Sequence, residues 1–156
     1  MFTVNEQHKK IRHLAMKNIS YSFIVFAICF SLSGCGSQSS REDMEHLSAS
    51  IRHIQVSFAK ESEYSGDGTV GINMPKETYE TVLTLRRMAL EEARKVNPKS
   101  LSQVDSEMPS AFSSYYLRGL ELWNSGIEDG DFLKANRGMM LINSWGDYYQ
   151  AWRNSV

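Results

Sequence analysis

Apolar residues recur at steps of three and four along most of the chain after residue 40, and this spacing limits the fold more than any other feature of the sequence. Such steps place side chains on one face of an α-helix. The same stretch has no alternating run of β-branched residues long enough to form a strand. The chain has 156 residues, of which 42% are hydrophobic and 22% are charged, as in one ordinary globular domain. The sequence therefore predicts a single all-α domain.

Four segments carry the helical pattern, and residues that start or stop helices separate them. Pro75 suits the first turn of the second helix, and Pro109 suits that of the third. Gly130 can end the third helix, and Asp131 can cap the fourth. Because the connections are short, four such helices predict an antiparallel helical bundle. The predicted helices cover about 41–62, 75–97, 109–129 and 132–154, and the connector before the third has room for a short helical turn.

Each predicted helix has one face that should lie in the core. In the first two helices these faces hold Met44, Leu47, Ile51, Ile54 and Phe58, and then Tyr79, Val82, Leu85 or Arg86, Ala89, Ala93 and Val96. In the third they hold Phe112, Tyr116, Leu120, Trp123 and Ile127. In the fourth they hold Leu133, Arg137, Leu141, Trp145, Tyr148 and Trp152.

The junction between the third and fourth helices has a recognisable pattern. Gly130-Asp131-Phe132, followed by Ala135, resembles the corner of a tetratricopeptide hairpin. Only one such unit is visible, whereas a solenoid needs about three repeats to bury its faces. We therefore expect a plain helical hairpin.

A short apolar segment precedes the helical domain. Residues 21–32 follow a basic stretch and carry no charge, but they are twelve residues long, whereas a bilayer-spanning helix needs about 20. They have the length and flanks of the hydrophobic region of a signal peptide. Leu32-Ser33-Gly34-Cys35 comes at its end. An aliphatic residue, two small residues and a cysteine resemble the lipobox of bacterial lipoproteins.

The resemblance implies that a lipid is joined to Cys35 through a thioether and that the chain is cleaved before this residue. A cysteine suits that chemistry because its sulfur is a strong nucleophile. Residues 1–34 would then be a signal peptide, and two or more acyl chains on Cys35 would hold the protein stably on a membrane. A start at Met16 would give a 19-residue signal of ordinary length; a long basic region from Met1 is the alternative.

These assignments predict the remaining organisation and the location of the protein. Residues 35–40 would be the lipidated cysteine and a flexible tether, and residues 41–156 a single helical domain. Gly36 stands where a Gram-negative retention signal has aspartate, so we expect the outer membrane, facing the periplasm, if the host is Gram-negative. Without residues 1–34 the chain has 13 basic and 17 acidic residues, which gives no reason to expect nucleic acid as a partner. No cysteine remains for a disulfide.

Several side chains could act as reactive groups, but none has the surroundings that its chemistry needs. His46 and His53 lie on one face of the first helix, but a di-iron bundle needs a Glu-x-x-His pair from each of two helices. The glycine-rich stretch 65–71 lacks the lysine of a phosphate loop, so we expect a connector. Glu107 or Glu121 could serve as the lone carboxylate of a peptidoglycan-cleaving enzyme, but no motif surrounds either. We expect no catalytic residue, no cofactor and no metal.

Aromatic residues are concentrated in the last two helices. Nine of the twelve that follow Cys35 lie between Phe112 and Trp152, among them two neighbouring tyrosine pairs. Successive helical residues point about 100° apart, so only one tyrosine of each pair can face the core. We expect Tyr115 and Tyr149 to point outwards and to form a partner surface. A wide aromatic core with hydroxyls at its edge is the alternative.

The sequence thus favours a membrane-anchored envelope lipoprotein that acts as an accessory or interaction subunit, binds a protein and catalyses nothing. A domain that binds a ligand, a glycan or peptidoglycan is the alternative, and a peptidoglycan-active enzyme is a third reading.

Overall fold

The computed structural model describes residues 38–64 and 74–155. The predicted signal peptide, Cys35 and the glycine-rich stretch 65–71 lie outside the described residues. The first helix already includes residues 38–40, so the predicted tether of residues 36–40 was wrong for its last three residues. Among the described helices, none has an apolar stretch long enough to cross a membrane.

The described residues form helices and no strand, which confirms the all-α prediction. The order along the chain is α1 (Gln38–Ser62), α2 (Lys76–Lys95), a 3₁₀ helix (Pro98–Gln103), α3 (residues 108–128) and α4 (Phe132–Ser155). α3 is continuous but changes its winding: Met108–Ala111 and Arg118–Glu128 are α-helical, and Phe112–Leu117 is a π-helical segment between them.

The residues expected to start and stop helices do so. Pro75 precedes the first residue of α2, and Pro109 lies in the first turn of α3. Gly130 has a φ of 68°, a left-handed conformation that suits glycine at a helix end. The Asp131 carboxylate accepts a hydrogen bond from the backbone N–H of Lys134 at 3.0 Å, which caps α4 as predicted.

The four long helices run up, down, up and down, so the predicted antiparallel bundle is confirmed. α1 packs along α2, and α3 packs along α4. The start of α1 lies beside the end of α2, where the Asp43 carboxylate accepts a hydrogen bond from the backbone N–H of Asn97 at 2.8 Å. The two hairpins meet through α3, whose Trp123 stacks on Phe58 of α1 with the ring centroids 5.5 Å apart.

A polar contact also joins three helices inside the core. The Ser50 hydroxyl of α1 donates to the carbonyl oxygen of Ala89 in α2 at 2.6 Å, and the Tyr116 hydroxyl of α3 donates to Ser50 Oγ at 2.8 Å. All three residues are buried, and burial raises the pKa of Tyr116. Because buried hydroxyls need partners, this chain of bonds fixes how α1, α2 and α3 pack.

Arg86 is one of two charged residues that are buried in the described part of the chain, at 5% exposure; Asp43, at 6%, is the other. The guanidinium of Arg86 pairs with Glu61 of α1 and lies 3.7 Å from the centre of the Trp123 ring. Burial lowers the pKa of Arg86, and the negative charge of Glu61 opposes that effect. The pair and the ring contact connect α1, α2 and α3 near one end of the bundle.

The predicted core faces are right for α1 and α3 and need correction elsewhere. Tyr79, expected in the core of α2, is 46% exposed because it lies in the first turn of the helix, before Val82, its first buried residue. In α4 the predicted face was wrong in its first half: Leu133 is 75% exposed, and Arg137 is also exposed. The residues of α4 that are buried are Ala135, Gly138, Ile142, Trp145 and Tyr149.

Close contact between α3 and α4 explains this rotation. A Cβ atom built on Gly138 would lie 2.4 Å from the backbone nitrogen of Trp123, and one built on Gly126 would lie 2.3 Å from the backbone nitrogen of Ala135. Real Cβ atoms do not approach backbone atoms so closely, so only glycine fits at these two positions. The backbones can meet only if α4 turns its small residues towards α3.

Candidate functional site

The outward side of α4 carries three large apolar side chains that the bundle does not cover. Phe132 is 87% exposed, Leu133 75% and Met140 61%. We call these three residues, with Arg137, the α4 face. By their exposed fractions the three apolar side chains present roughly 400 Å² of surface, within the range of the largest patch on a typical monomer, and such patches are often functional.

The packing of α4 on α3 determines where this face points. Gly138 lies against α3, and at about 100° per residue Met140 points about 160° away from it. Leu133 lies seven residues before Met140 and therefore occupies nearly the same side of the helix. The glycine contact and the outward apolar residues thus have one cause, because the small residues of α4 face inwards.

The α4 face has one positive charge in its middle. Arg137 is exposed and lies four residues after Leu133 and three before Met140, so it is on the same side of the helix. Within the described part of the chain, no carboxylate lies within ion-pair distance of Arg137. The neighbouring Lys134 pairs with Asp129 at 2.7 Å. A ligand of this face would therefore meet an apolar surface with an available guanidinium.

The α4 face lies at the end of the bundle that is farthest from the start of α1. α4 begins at the corner with α3, and its other end lies near the 3₁₀ connector, where the Tyr148 hydroxyl donates to the Asp105 carboxylate at 2.7 Å. That connector also lies beside the start of α1. With 25 residues at 1.5 Å each, α1 is about 37 Å long, so Phe132 lies roughly that far from Gln38.

The structure separates the two tyrosines that were expected to form one partner surface. Tyr115 is 38% exposed, as predicted, and it lies in the π-helical segment of α3. Tyr149 is 5% exposed, so the prediction that it points outwards was wrong. Its ring lies 5.8 Å from that of Trp145 and 5.3 Å from that of Trp152. The error follows from the misplaced core face of α4, since Tyr148 is the half-buried member of the pair.

The aromatic residues of α3 and α4 form a continuous core rather than a binding groove. Trp145 lies at its centre and contacts Phe112 edge-on, with the ring centroids 6.0 Å apart. Between α1 and α4 the core leaves an apolar cleft of about 20 Å³, which is about the space of one water molecule. A sugar ring would not fit this cleft without movement of the helices.

The histidines and the lone carboxylates lie apart from the α4 face. His46 Nδ1 donates to the Glu92 carboxylate at 2.7 Å, and Lys95 reaches the same carboxylate at 2.6 Å. These two bonds lower the pKa of Glu92, with Lys95 the larger cause. Glu121 faces two arginines, each 3.6 Å away. In residues 38–64 and 74–155, no three histidine, cysteine or acidic side chains come together as metal ligands would.

A second open surface, the groove between α2 and α3, is polar, and four of its five charged side chains form ion pairs. The groove encloses about 280 Å³, and Leu90 is the apolar residue that lines it. Arg87 pairs with Glu128 at 3.3 Å across it, and Arg94 pairs with Glu121. Exposed pairs of this kind contribute little to stability or specificity, and Glu91 leaves the groove with a net charge of only about −1.

A weak signal for the α4 face is present in the sequence, and the prediction did not use it. Gly119 and Gly126 are seven residues apart in α3, and Ala135 and Gly138 are three apart in α4, as expected of two helices that meet along small residues. If these small residues form the contact, Leu133 and Met140 point outwards.

No family model matches the chain, and no curated protein or solved structure is significantly similar to it.

Proposed function

We propose that the protein is a lipid-anchored interaction subunit of a bacterial cell envelope assembly, which binds a protein partner and has no catalytic role. One observation carries the proposal: the bundle exposes an apolar face on the half of α4 that lies farther from the helix end that follows Cys35. A membrane anchor at one end and an uncovered apolar surface at the other suit a protein that holds a partner near a membrane.

The proposed anchor is Cys35 in Leu32-Ser33-Gly34-Cys35. Only Gly36 and Ser37 separate Cys35 from the first residue of α1. A lipid on Cys35 would therefore keep that end of the bundle close to the membrane. In a Gram-negative host, Gly36 supports the outer membrane, with the domain in the periplasm.

Mass spectrometry of the protein from its native envelope tests the anchor. The expected species begins at Cys35 and carries the mass of its acyl chains. Cys35→Ser should accumulate as unlipidated precursor, because a serine hydroxyl is a much weaker nucleophile than a thiolate. An unmodified Cys35 still joined to Gly34 in the native envelope would contradict the proposal.

Purification of the full-length protein from detergent-solubilised envelope tests the binding role. We expect one other protein to copurify in a fixed ratio at several detergent concentrations. Phe132→Asp and Leu133→Asp should lower its recovery, and Val56→Asp, at a 45% exposed site on α1, is the control. Saturable binding to murein without a protein partner would support the glycan-binding alternative instead, and a cleared murein zymogram would support an enzyme.

A further inference from the structure

We infer that the partner contacts the α4 face with an amphipathic helix that has apolar residues one and two turns apart and a carboxylate directed at Arg137. This inference rests on the proposed function and adds the chemistry of the partner. Three features of the α4 face support it: the spacing of its apolar residues, the position of its charge, and the polar character of the rest of α4.

The spacing fits a helix better than an extended strand. Leu133 and Met140 are about 10.5 Å apart along one side of α4, which is two helical turns. A helix laid along α4 places residues i, i+3 or i+4, and i+7 against such a row. Between the first and last turns of α4, the N–H and C=O groups bond to each other, so the row from Leu133 to Met140 offers no edge along which a strand could pair.

The charge argues against a second copy of this chain as the occupant. In a symmetric antiparallel pairing that matches Leu133 with Met140 of the partner copy, Arg137 would lie opposite its own equivalent. Two guanidinium groups would then lose solvent in an apolar contact without a counter-charge, which is unfavourable. A carboxylate on a different chain would instead form a charge-assisted pair with Arg137 at the centre of the contact.

The rest of the outward side of α4 argues against a membrane surface as the occupant. Ser144 and Asp147 continue the side of the helix that carries Leu133 and Met140, and both are exposed. At the other end, Asp129 and Asp131 lie beside the first turn. A helix that lies on a bilayer has cations, not carboxylates, along the edge of its apolar side.

Site-directed photocrosslinking in the native envelope tests the inference with the full-length protein. Leu133 is replaced by p-benzoylphenylalanine, and the same replacement at Arg52, an exposed position of α1, is the control. We expect the probe at Leu133 to join one envelope protein, and peptide mass spectrometry to place the joined residue in a segment with the stated apolar spacing and a carboxylate. Arg137→Glu should lower the yield at least tenfold, whereas Arg52→Glu should leave it unchanged.

A charge exchange then distinguishes recognition from a fold defect. Replacing the identified carboxylate of the partner by lysine should restore crosslinking to the Arg137→Glu variant. Crosslinks to a second copy or to lipid, a yield that does not respond to Arg137→Glu, or no crosslink from Leu133 would each overturn the inference. If a partner copurifies but joins to a probe at Tyr115 and not at Leu133, the proposed function stands and this inference fails. If no protein copurifies, both fail.

Discussion

Gly138→Ala tests whether the backbones of α3 and α4 are as close as described. Alanine in place of glycine inside a helix would by itself stabilise the helix by about 1 kcal/mol. Here the new methyl group would lie 2.4 Å from the backbone nitrogen of Trp123 and 2.6 Å from the carbonyl oxygen of Gly119. Backbone atoms cannot rotate away, so α4 must move outwards by about an ångström. Overpacking of this kind costs about 1–3 kcal/mol and here also separates Gly126 from Ala135.

We expect the lipid-free chain from residue 36 onwards to lose about 1–2 kcal/mol of unfolding free energy in the Gly138→Ala variant, measured by urea unfolding with far-ultraviolet circular dichroism. At roughly 4 °C per kcal/mol, its melting temperature should fall by several degrees. Asn136→Ala, at an exposed position of the same helix, is the control and should change the free energy by less than about 0.5 kcal/mol. A Gly138→Ala variant that is as stable as the parent, or more stable, would refute the close contact.

Two further sets of substitutions test the core and the connector. Trp123→Ala and Trp145→Ala remove side chains that are each 3% exposed, so each should cost about 3–5 kcal/mol, whereas Phe132→Ala, at an 87% exposed site, should cost less than about 0.5 kcal/mol in the same urea titration. A loss below 0.5 kcal/mol at either tryptophan would contradict its assignment to the core. The hydrogen bond from Tyr148 is the largest cause of the lowered pKa of Asp105, so Tyr148→Phe should raise that pKa towards its ordinary value. Asp105 stabilises the fold above its ordinary pKa, and this contribution is lost as the pH falls through the lowered pKa; acid unfolding should therefore begin at a higher pH in Tyr148→Phe than in Tyr115→Phe. A carboxyl NMR titration that shows the same Asp105 pKa in both variants would exclude the bond.

Helix number and order could be predicted because the signals for them are local. Pro75, Pro109 and Gly130 act on their own backbone conformations, and Asp131 caps the turn that follows it. The apolar spacing of α1 and α3 was also sufficient, since Leu47, Ile54 and other large residues mark a single face. The spacing of apolar residues identifies the buried face of a helix when the large apolar residues occupy only one side of it.

The core face of α4 could not be predicted in that way, because large apolar residues lie on two sides of the helix. Leu133 and Met140 occupy one side, and Ile142 and Tyr149 occupy another. The choice between them depends on Gly138, whose partner is a backbone atom of another helix. A pattern in one segment carries no information about such a contact. The orientation of Tyr149 was wrong for the same reason, and so the first partner surface combined an exposed residue with a buried one.

The choice between Leu85 and Arg86 was left open for a related reason. Arg86 appeared beside Leu85 as one of two residues that could face the core, and an arginine is seldom buried without a partner. Its partners come from two other helices: Glu61 in α1 and the ring of Trp123 in α3. Nothing in the sequence near Arg86 indicates either of them.

The way α3 and α4 meet bears directly on the proposed binding role. In the half of α4 that begins at Phe132, the buried residues nearest the corner are Ala135 and Gly138, which bury little apolar side-chain area, and Ile142 is the one large residue that is fully buried. The other half contains Trp145 and Tyr149, which supply most of the aromatic burial of that helix. The half with the thinner core is also the half that exposes the α4 face. A partner helix seated over Leu133 and Met140 would therefore add apolar burial where the bundle has least of its own, so binding energy and local stability would increase together at the end of the protein that lies farthest from its proposed anchor.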